Sequence, residues 1–118
     1  MRAVLFVSHG SQSPKTKREV QDIVRRLKKK SPKDIWTYAF LEMIRPDISE
    51  GIDQCVRKGA AEIILLLNFL NSGRHVDEDI LRLVKKARGK YPRVLFRITP
   101  PLGRHPKIAD LFLEMIRE

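Results

Sequence analysis

The chain has 118 residues, 42% of them apolar, and its 24 basic and 14 acidic side chains give a formal net charge of +10. That length suits one domain with an adequate core of its own. The single cysteine excludes an internal disulfide, a cysteine-rich zinc site and dithiol redox chemistry.

Residues 3–7 are apolar throughout, the pattern of a strand buried on both faces. No apolar run approaches the ~20 residues of a membrane-spanning helix. The segment Met1-Arg2-Ala3-Val4-Leu5-Phe6-Val7 lacks the small-residue cleavage site of a signal peptide, so a cytoplasmic protein is expected. A helix over 14–30 follows, with Pro14 at an early position and Val20, Ile23, Val24 and Leu27 at i, i+3, i+4 and i+7. Ser31-Pro32-Lys33-Asp34 turns into a second strand, 35–40, rich in β-branched and aromatic residues. Pro46 opens a second helix that stops at Gly59 after Lys58, and Cys55 falls on its core face with Ile48, Ile52 and Val56.

Residues 63–67 form a third strand, again apolar throughout. A third helix starts near His75 and packs through Val76, Ile80, Leu83, Val84 and Ala87. Asp77, Glu78 and Asp79 occupy its first turn, and Lys85, Lys86 and Arg88 sit near its end, which complements the helix dipole. A fourth strand, 93–98, carries Arg97 and suits a sheet edge; a fourth helix, 106–117, runs on Ile108, Leu111, Phe112 and Met115. The hexapeptide Phe-Leu-Glu-Met-Ile-Arg occurs at 40–45 and again at 112–117. The first copy reads as strand end and loop, the second as helix, so tertiary context overrides local preference in at least one.

Strict alternation of strand and helix demands a parallel sheet with helical crossovers, covered on both faces. The two continuously apolar strands belong in the centre, which gives the order 2-1-3-4, a flavodoxin-like α/β arrangement in one domain, residues 1–118. Ligands of such sheets bind outside the carboxyl ends of the strands, where the order reverses. Here that point lies between strands 1 and 3. It receives His9, from Ser8-His9-Gly10-Ser11, and His75, from Gly73-Arg74-His75-Val76-Asp77-Glu78-Asp79.

Imidazole holds borderline metals and exchanges protons near neutral pH. Each histidine taken alone also suits a structural or solvent-exposed role. Glu42, after strand 2, can bind metal or take a proton, or serve as a surface charge. The acidic residues after His75 either orient its ring or only complement the dipole. Ser11 and Ser13 offer hydroxyls or a helix cap. Lys15, Lys17 and Arg18 put positive charge where the first helix begins, which favours a nearby anion. His105 lies on the same sheet edge beside an outer strand and ranks third among the histidines. The chain carries no G-x-x-x-x-G-K-[ST] loop and no G-x-G-x-x-G fingerprint. A nucleic-acid-binding reading rests on charge alone, since aromatic residues make up 7% and form no basic–aromatic stripe.

Four segments together resemble the short form of the sirohydrochlorin chelatases, the CbiX-like proteins. They are Ser8-His9-Gly10-Ser11, Phe40-Leu41-Glu42, the run from Phe69 through Gly73-Arg74-His75 to Ile80, and Pro100-Pro101-Leu102-Gly103-Arg104-His105-Pro106. The chain departs from that family at Ser8, where glycine is usual, and at Asn68, where proline is frequent. The resemblance implies insertion of divalent cobalt, iron or nickel into sirohydrochlorin, with no cofactor beyond that metal substrate, by a homodimer. It makes His9 and His75 the metal-handling pair, with Glu42 an additional catalytic carboxylate. Ser11, Lys15, Gly73, Arg74 and Arg104 are then expected on the substrate's side of the crevice, Lys15, Lys17, Arg74 and Arg104 gripping its carboxylates. A relative that binds metal or tetrapyrrole without turnover fits the same motifs.

Overall fold

A computed structural model describes residues 1–71 and 73–117; Ser72, inside the glycine-histidine segment, and Glu118 lie outside the described residues. The elements run β1 (Arg2–Ser8), α1 (Lys15–Lys30), β2 (Ile35–Phe40), α2 (Ile48–Arg57), β3 (Glu62–Leu67), α3 (Arg74–Lys90), β4 (Leu95–Ile98), a 3₁₀ turn (Leu102–Arg104) and α4 (Ile108–Ile116). The four strands form one parallel sheet in the order β2-β1-β3-β4, as expected from the sequence. β1 is longer than its apolar run because pairing continues to Arg2 opposite Glu62 and to Ser8 opposite Phe40. β4 starts at Leu95, not at 93, because the chain is still turning there: the Val94 N–H bonds the Tyr91 carbonyl.

The pleat divides the apolar residues between two faces. Ala3, Leu5, Val7, Ile63, Leu65 and Leu67 meet Ile48, Ile52 and Cys55 of α2 and Ile80, Val84 and Ala87 of α3. Each large aliphatic side chain taken out of water here contributes roughly 1.5–3 kcal/mol. Cys55 is fully buried, beside the Thr37 hydroxyl, and desolvation pushes its thiol pKa up. On the opposite face a smaller cluster, Phe6, Val20, Val24 and Phe40, joins β1 and β2 to α1.

α2 begins at Ile48 rather than at Pro46. Asp47 is the reason: its side chain accepts the Glu50 N–H, while the Glu50 carboxylate accepts the Asp47 N–H, a reciprocal cap. Arg45, first, and the Asp47 N–H hold the Glu50 carboxyl at about 2, below its ordinary 4.5. Loss of the cap in Asp47→Ala should cost about 1 kcal/mol. A depressed folded-state pKa makes the Glu50 contribution complete above pH 4.5 and lost as pH falls toward 2. Calorimetry of wild type and Glu50→Gln should therefore show different melting temperatures at pH 7 that draw together below pH 4.5 and converge only as pH falls to about 2 and below.

The hexapeptide copies take the two conformations expected of them, strand end and bends at 40–45 and helix over most of 112–117. The fourth helix does not do what its apolar spacing suggests. None of its residues is buried, and Leu111, Phe112, Leu113, Met115 and Ile116 are 47–79% exposed. α4 projects from the body: the radius of gyration is 14.6 Å, against about 13.5 Å for a compact chain of this length. Beside α1, the sheet face over β3 is left as an open apolar groove of about 530 Å³, walled by Ile23 and Leu27 on one side and by Pro100, Pro101 and Leu102 on the other.

Candidate functional site

β1 and β2 run in register as far as Ser8 and Phe40, so the residues just beyond them leave the sheet side by side. The two loops are then fastened by backbone hydrogen bonds. The Leu41 N–H donates to the Ser8 carbonyl at 2.9 Å and the Glu42 N–H to the His9 carbonyl at 3.0 Å. Gly10 makes this approach possible. Its φ is +100°, and a β-carbon there would sit 2.0 Å from the Glu42 carbonyl oxygen.

The consequence is a direct side-chain pair. His9 Nε2 lies 2.8 Å from Glu42 Oε1, with both side chains about half exposed. An ionised carboxylate only accepts, so Nε2 carries the hydrogen, and a neutral ring keeps its lone pair on Nδ1. Phe69 supports the ring: the two ring planes are nearly perpendicular, with centroids 6.3 Å apart.

His75 is the second residue of α3, exposed, and it follows β3 on the same carboxyl edge of the sheet. Among the described residues no three His, Cys, Asp or Glu side chains come close enough to hold one metal ion, so His75 is not joined to the His9–Glu42 pair. Nor do the acidic residues after it orient its ring. Glu78 instead accepts from Arg74 Nε at 3.0 Å, and Asp79 pairs with Arg82.

Ser11 is spent locally: its hydroxyl accepts the Ser13 N–H and meets the Thr16 hydroxyl at 2.6 Å. The Lys15 N–H donates to the Ser13 hydroxyl, while the Lys15 side chain stays exposed at the head of α1, whose first turn contains no acidic residue. Gly73 caps α3 in extended conformation, and a β-carbon there would meet only Val76, at 3.9 Å. Arg104 ends the 3₁₀ turn, on the rim of the apolar groove and of a second cleft of about 340 Å³ that reaches Asp77 at the start of α3. His105 lines the apolar groove and accepts the Lys107 N–H on Nδ1.

Two supports were not legible in the sequence. Gly103 lies so close to the loop after β3 that a β-carbon would come 1.7 Å from the Leu70 carbonyl oxygen, and its N–H bonds the Phe69 carbonyl. The segment that carries Arg104 is thereby clamped to the loop that carries Phe69. The second is a side-chain bridge at the strand ends: Asn68 Nδ2 donates to the buried Ser8 hydroxyl at 3.1 Å. The two positions at which the chain departs from its motif are therefore partners in space. Ser8→Ala and Asn68→Ala should each destabilise the fold, and the double variant by about 0.5–1.5 kcal/mol less than their sum. Denaturant titration of the four proteins measures this; strict additivity would exclude the bridge.

A family model described as CbiX matches residues 3–118. A sirohydrochlorin ferrochelatase and a sirohydrochlorin cobaltochelatase of Priestia megaterium are 31% and 32% identical over the whole chain, which spans only 44% and 38% of their lengths. A sirohydrochlorin cobaltochelatase of Methanococcoides burtonii is 31% identical over 98% of the chain and 94% of its own length. Among solved structures, the sirohydrochlorin chelatase SirB of Bacillus subtilis subspecies spizizenii in complex with cobalt superposes with a TM-score of 0.83 at 26% identity, over 97% of this chain and 49% of that one. The match to the family model, the sheet order and the histidine-bearing loops agree, and the chain belongs to the CbiX family.

Proposed function

We propose that this chain inserts a divalent metal into sirohydrochlorin, cobalt first in rank, with iron and nickel as further metals. The observation that carries the reading is the half-exposed His9–Glu42 pair at the carboxyl edge of the sheet, where the strand order reverses. A relative of nearly the same length, from Methanococcoides burtonii, bears the name of a cobaltochelatase, and this supports the metal ranking.

The reaction breaks two pyrrole N–H bonds and forms bonds from the metal to the ring nitrogens. In this reading His9 and Glu42 receive the cation from water and pass it on. As the cation arrives, the Nε2 hydrogen passes to water while Nδ1 takes one up, a tautomer shift that frees the Nε2 lone pair; once the cation has moved to the macrocycle, the pair accepts the two pyrrole protons, one on the imidazole and one on the carboxylate, before water takes them. His75, from the head of α3, is the second imidazole. Lys15, Lys17, Arg74 and Arg104 face the carboxylates of the macrocycle, and the +10 charge steers a polyanion toward them. Met43 and Leu70, exposed on the loops beside Glu42 and Phe69, give the flat apolar face of the ring something to lie on. Ser11 and Gly73 act by shaping the loops that border the substrate.

A lone domain of residues 1–118 offers an open crevice, and pairing as a homodimer encloses more of the ring. No cofactor beyond the metal substrate is required, and the expected compartment is the cytoplasm. Among the described residues no helix is long and apolar enough to cross a membrane. The test is direct: purified protein is mixed with sirohydrochlorin and Co²⁺, Fe²⁺ or Ni²⁺ in turn, and the tetrapyrrole absorbance is followed against the uncatalysed rate. Acceleration, greatest with cobalt, is expected; no acceleration with any of the three overturns the proposal.

A further inference from the structure

Among the described residues, Met43 is the only one other than glycine with a positive φ, at +70°. It stands at the centre of a γ-turn: the Ile44 N–H donates to the Glu42 carbonyl at 2.8 Å, across Met43 alone. A γ-turn of positive φ is rare and strained, and a long side chain is ill suited to it. Glycine, asparagine or aspartate takes such a conformation at lower cost. Strain of this kind collects where a protein places its chemistry, and this turn begins at Glu42, the partner of His9.

The surroundings show what the turn accomplishes. Glu42 is pinned from both sides: its N–H donates to the His9 carbonyl at 3.0 Å, while its own carbonyl is taken by Ile44 and lies against Gly10. Phe40 is fully buried, Leu41 packs on the core beneath α2 and α3, and Ile44 packs on the cluster beneath α1. Of these four neighbouring apolar residues Met43 alone joins neither cluster, and it is left 66% exposed. Its side chain carries a conformational cost and covers no core, so its use lies outside the fold.

We propose that Met43 is a specificity-determining contact for the macrocycle: its side chain, held out by the γ-turn, lies against the apolar face of the tetrapyrrole beside the His9–Glu42 pair. This rests on the metal-insertion reading, in which Met43 borders the ring, and gives the residue a task of its own, recognition of the ring apart from the handling of the metal. Two physical properties suit it to that task. The pinned backbone presents the side chain from a fixed base, which lowers the ordering cost of binding. The thioether arm is unbranched and polarizable, adapts to an irregular surface and makes favourable contacts with π-systems. A hydrated cation offers no apolar area to such a group, so Met43 bears on the ring and not on the metal.

The test compares wild type with Met43→Gly, Met43→Asn and Met43→Leu. Metal-free sirohydrochlorin is titrated with each protein and its fluorescence followed, so that binding is read without turnover; insertion kinetics are then measured with cobalt. Glycine and asparagine keep the turn and remove the apolar arm. Both should weaken ring binding and raise the KM for sirohydrochlorin about tenfold, the worth of one buried side chain of this size. The KM for cobalt and kcat should stay within about threefold of wild type. Met43→Gly should melt at or above the wild-type temperature, since it removes the dihedral cost, and its loss of binding is then not a loss of fold. Met43→Leu restores an apolar arm and should bind the ring within about threefold of wild type. Unchanged ring binding in Met43→Gly overturns the proposal. So does a fall in kcat with ring binding intact, which would make the turn a device for aiming Glu42, and so does a loss in Met43→Leu as large as in Met43→Gly. A wild type that binds no sirohydrochlorin ends both this inference and the metal-insertion reading. A wild type that binds the ring but inserts no metal ends that reading alone, and the binding comparison then decides on Met43 by itself.

Discussion

Replacing His9 by alanine should lower the rate of metal insertion by about 100-fold or more and leave the fold intact. The ring is about half exposed, and its neighbours are Glu42 and Phe69. The loop that carries it is fixed by backbone bonds from Leu41 and Glu42 that a truncated side chain does not disturb. Stability should change by no more than about 0.5 kcal/mol, as for a surface substitution. Glu42→Gln keeps size and shape but removes the charge, and should slow insertion less than His9→Ala does. His75→Ala should also abolish insertion without unfolding the protein. Absorbance assays paired with circular dichroism measure all three. Activity of His9→Ala within threefold of wild type would show that the reaction does not use this ring.

Gly10→Ala should be the most damaging of the conservative glycine substitutions, at about 2–4 kcal/mol. Two separate costs combine at that position: a φ of +100°, and a carbonyl oxygen 2.0 Å from the added carbon. The obstacle is backbone, which cannot rotate away as a side chain can. Relief requires the β1–α1 loop to part from the β2–α2 loop, which separates His9 from Glu42. Gly103→Ala meets the Leu70 carbonyl at 1.7 Å without the dihedral cost, and should be nearly as severe. Gly73→Ala is the control, since its φ is −140° and the space around it is open. Chemical denaturation of the three variants should rank them Gly10, Gly103, Gly73 in falling cost. A Gly10→Ala protein of wild-type stability would contradict the loop geometry.

The elements that bury a continuous or regularly spaced apolar run were readable in the chain. β1 and β3, which carry the unbroken apolar runs 3–7 and 63–67, are the central strands; β2 and β4, less uniform, are the edges. Cys55 lies in the core where its spacing with Ile52 and Val56 puts it. Periodicity reports which residues seek cover, not what covers them, and this is why α4 misled. Its stripe of Ile108, Leu111, Phe112 and Met115 reads like one facing the body, yet Leu113 and Ile116 on its remaining sides already marked it as unlike α1 or α3. The candidate site divides in the same way. Strand order alone brings His9 and His75 to one edge of the sheet. The pairing of His9 with Glu42 depends on register, since the Ser8–Phe40 alignment sets which residue beyond β2 stands level with His9. A parallel strand alignment is not encoded in either strand's own pattern. The bridge between Ser8 and Asn68, and the Gly103 clamp, join residues 60 and about 30 apart in sequence by contacts that no local signal announces.

The burial of Cys55 under α2 has a bearing on how this protein meets soft cations. Its sulfur lies in the hydrocarbon interior, and burial keeps it in the protonated form. It is the sole sulfhydryl of the chain, so the surface presents no thiolate to capture cobalt or nickel. Bound cobalt should therefore give visible bands of nitrogen and oxygen ligation, with no sulfur-to-metal charge transfer in the near ultraviolet. A cation held by such harder donors is easier to surrender to four pyrrole nitrogens than one fastened to sulfur.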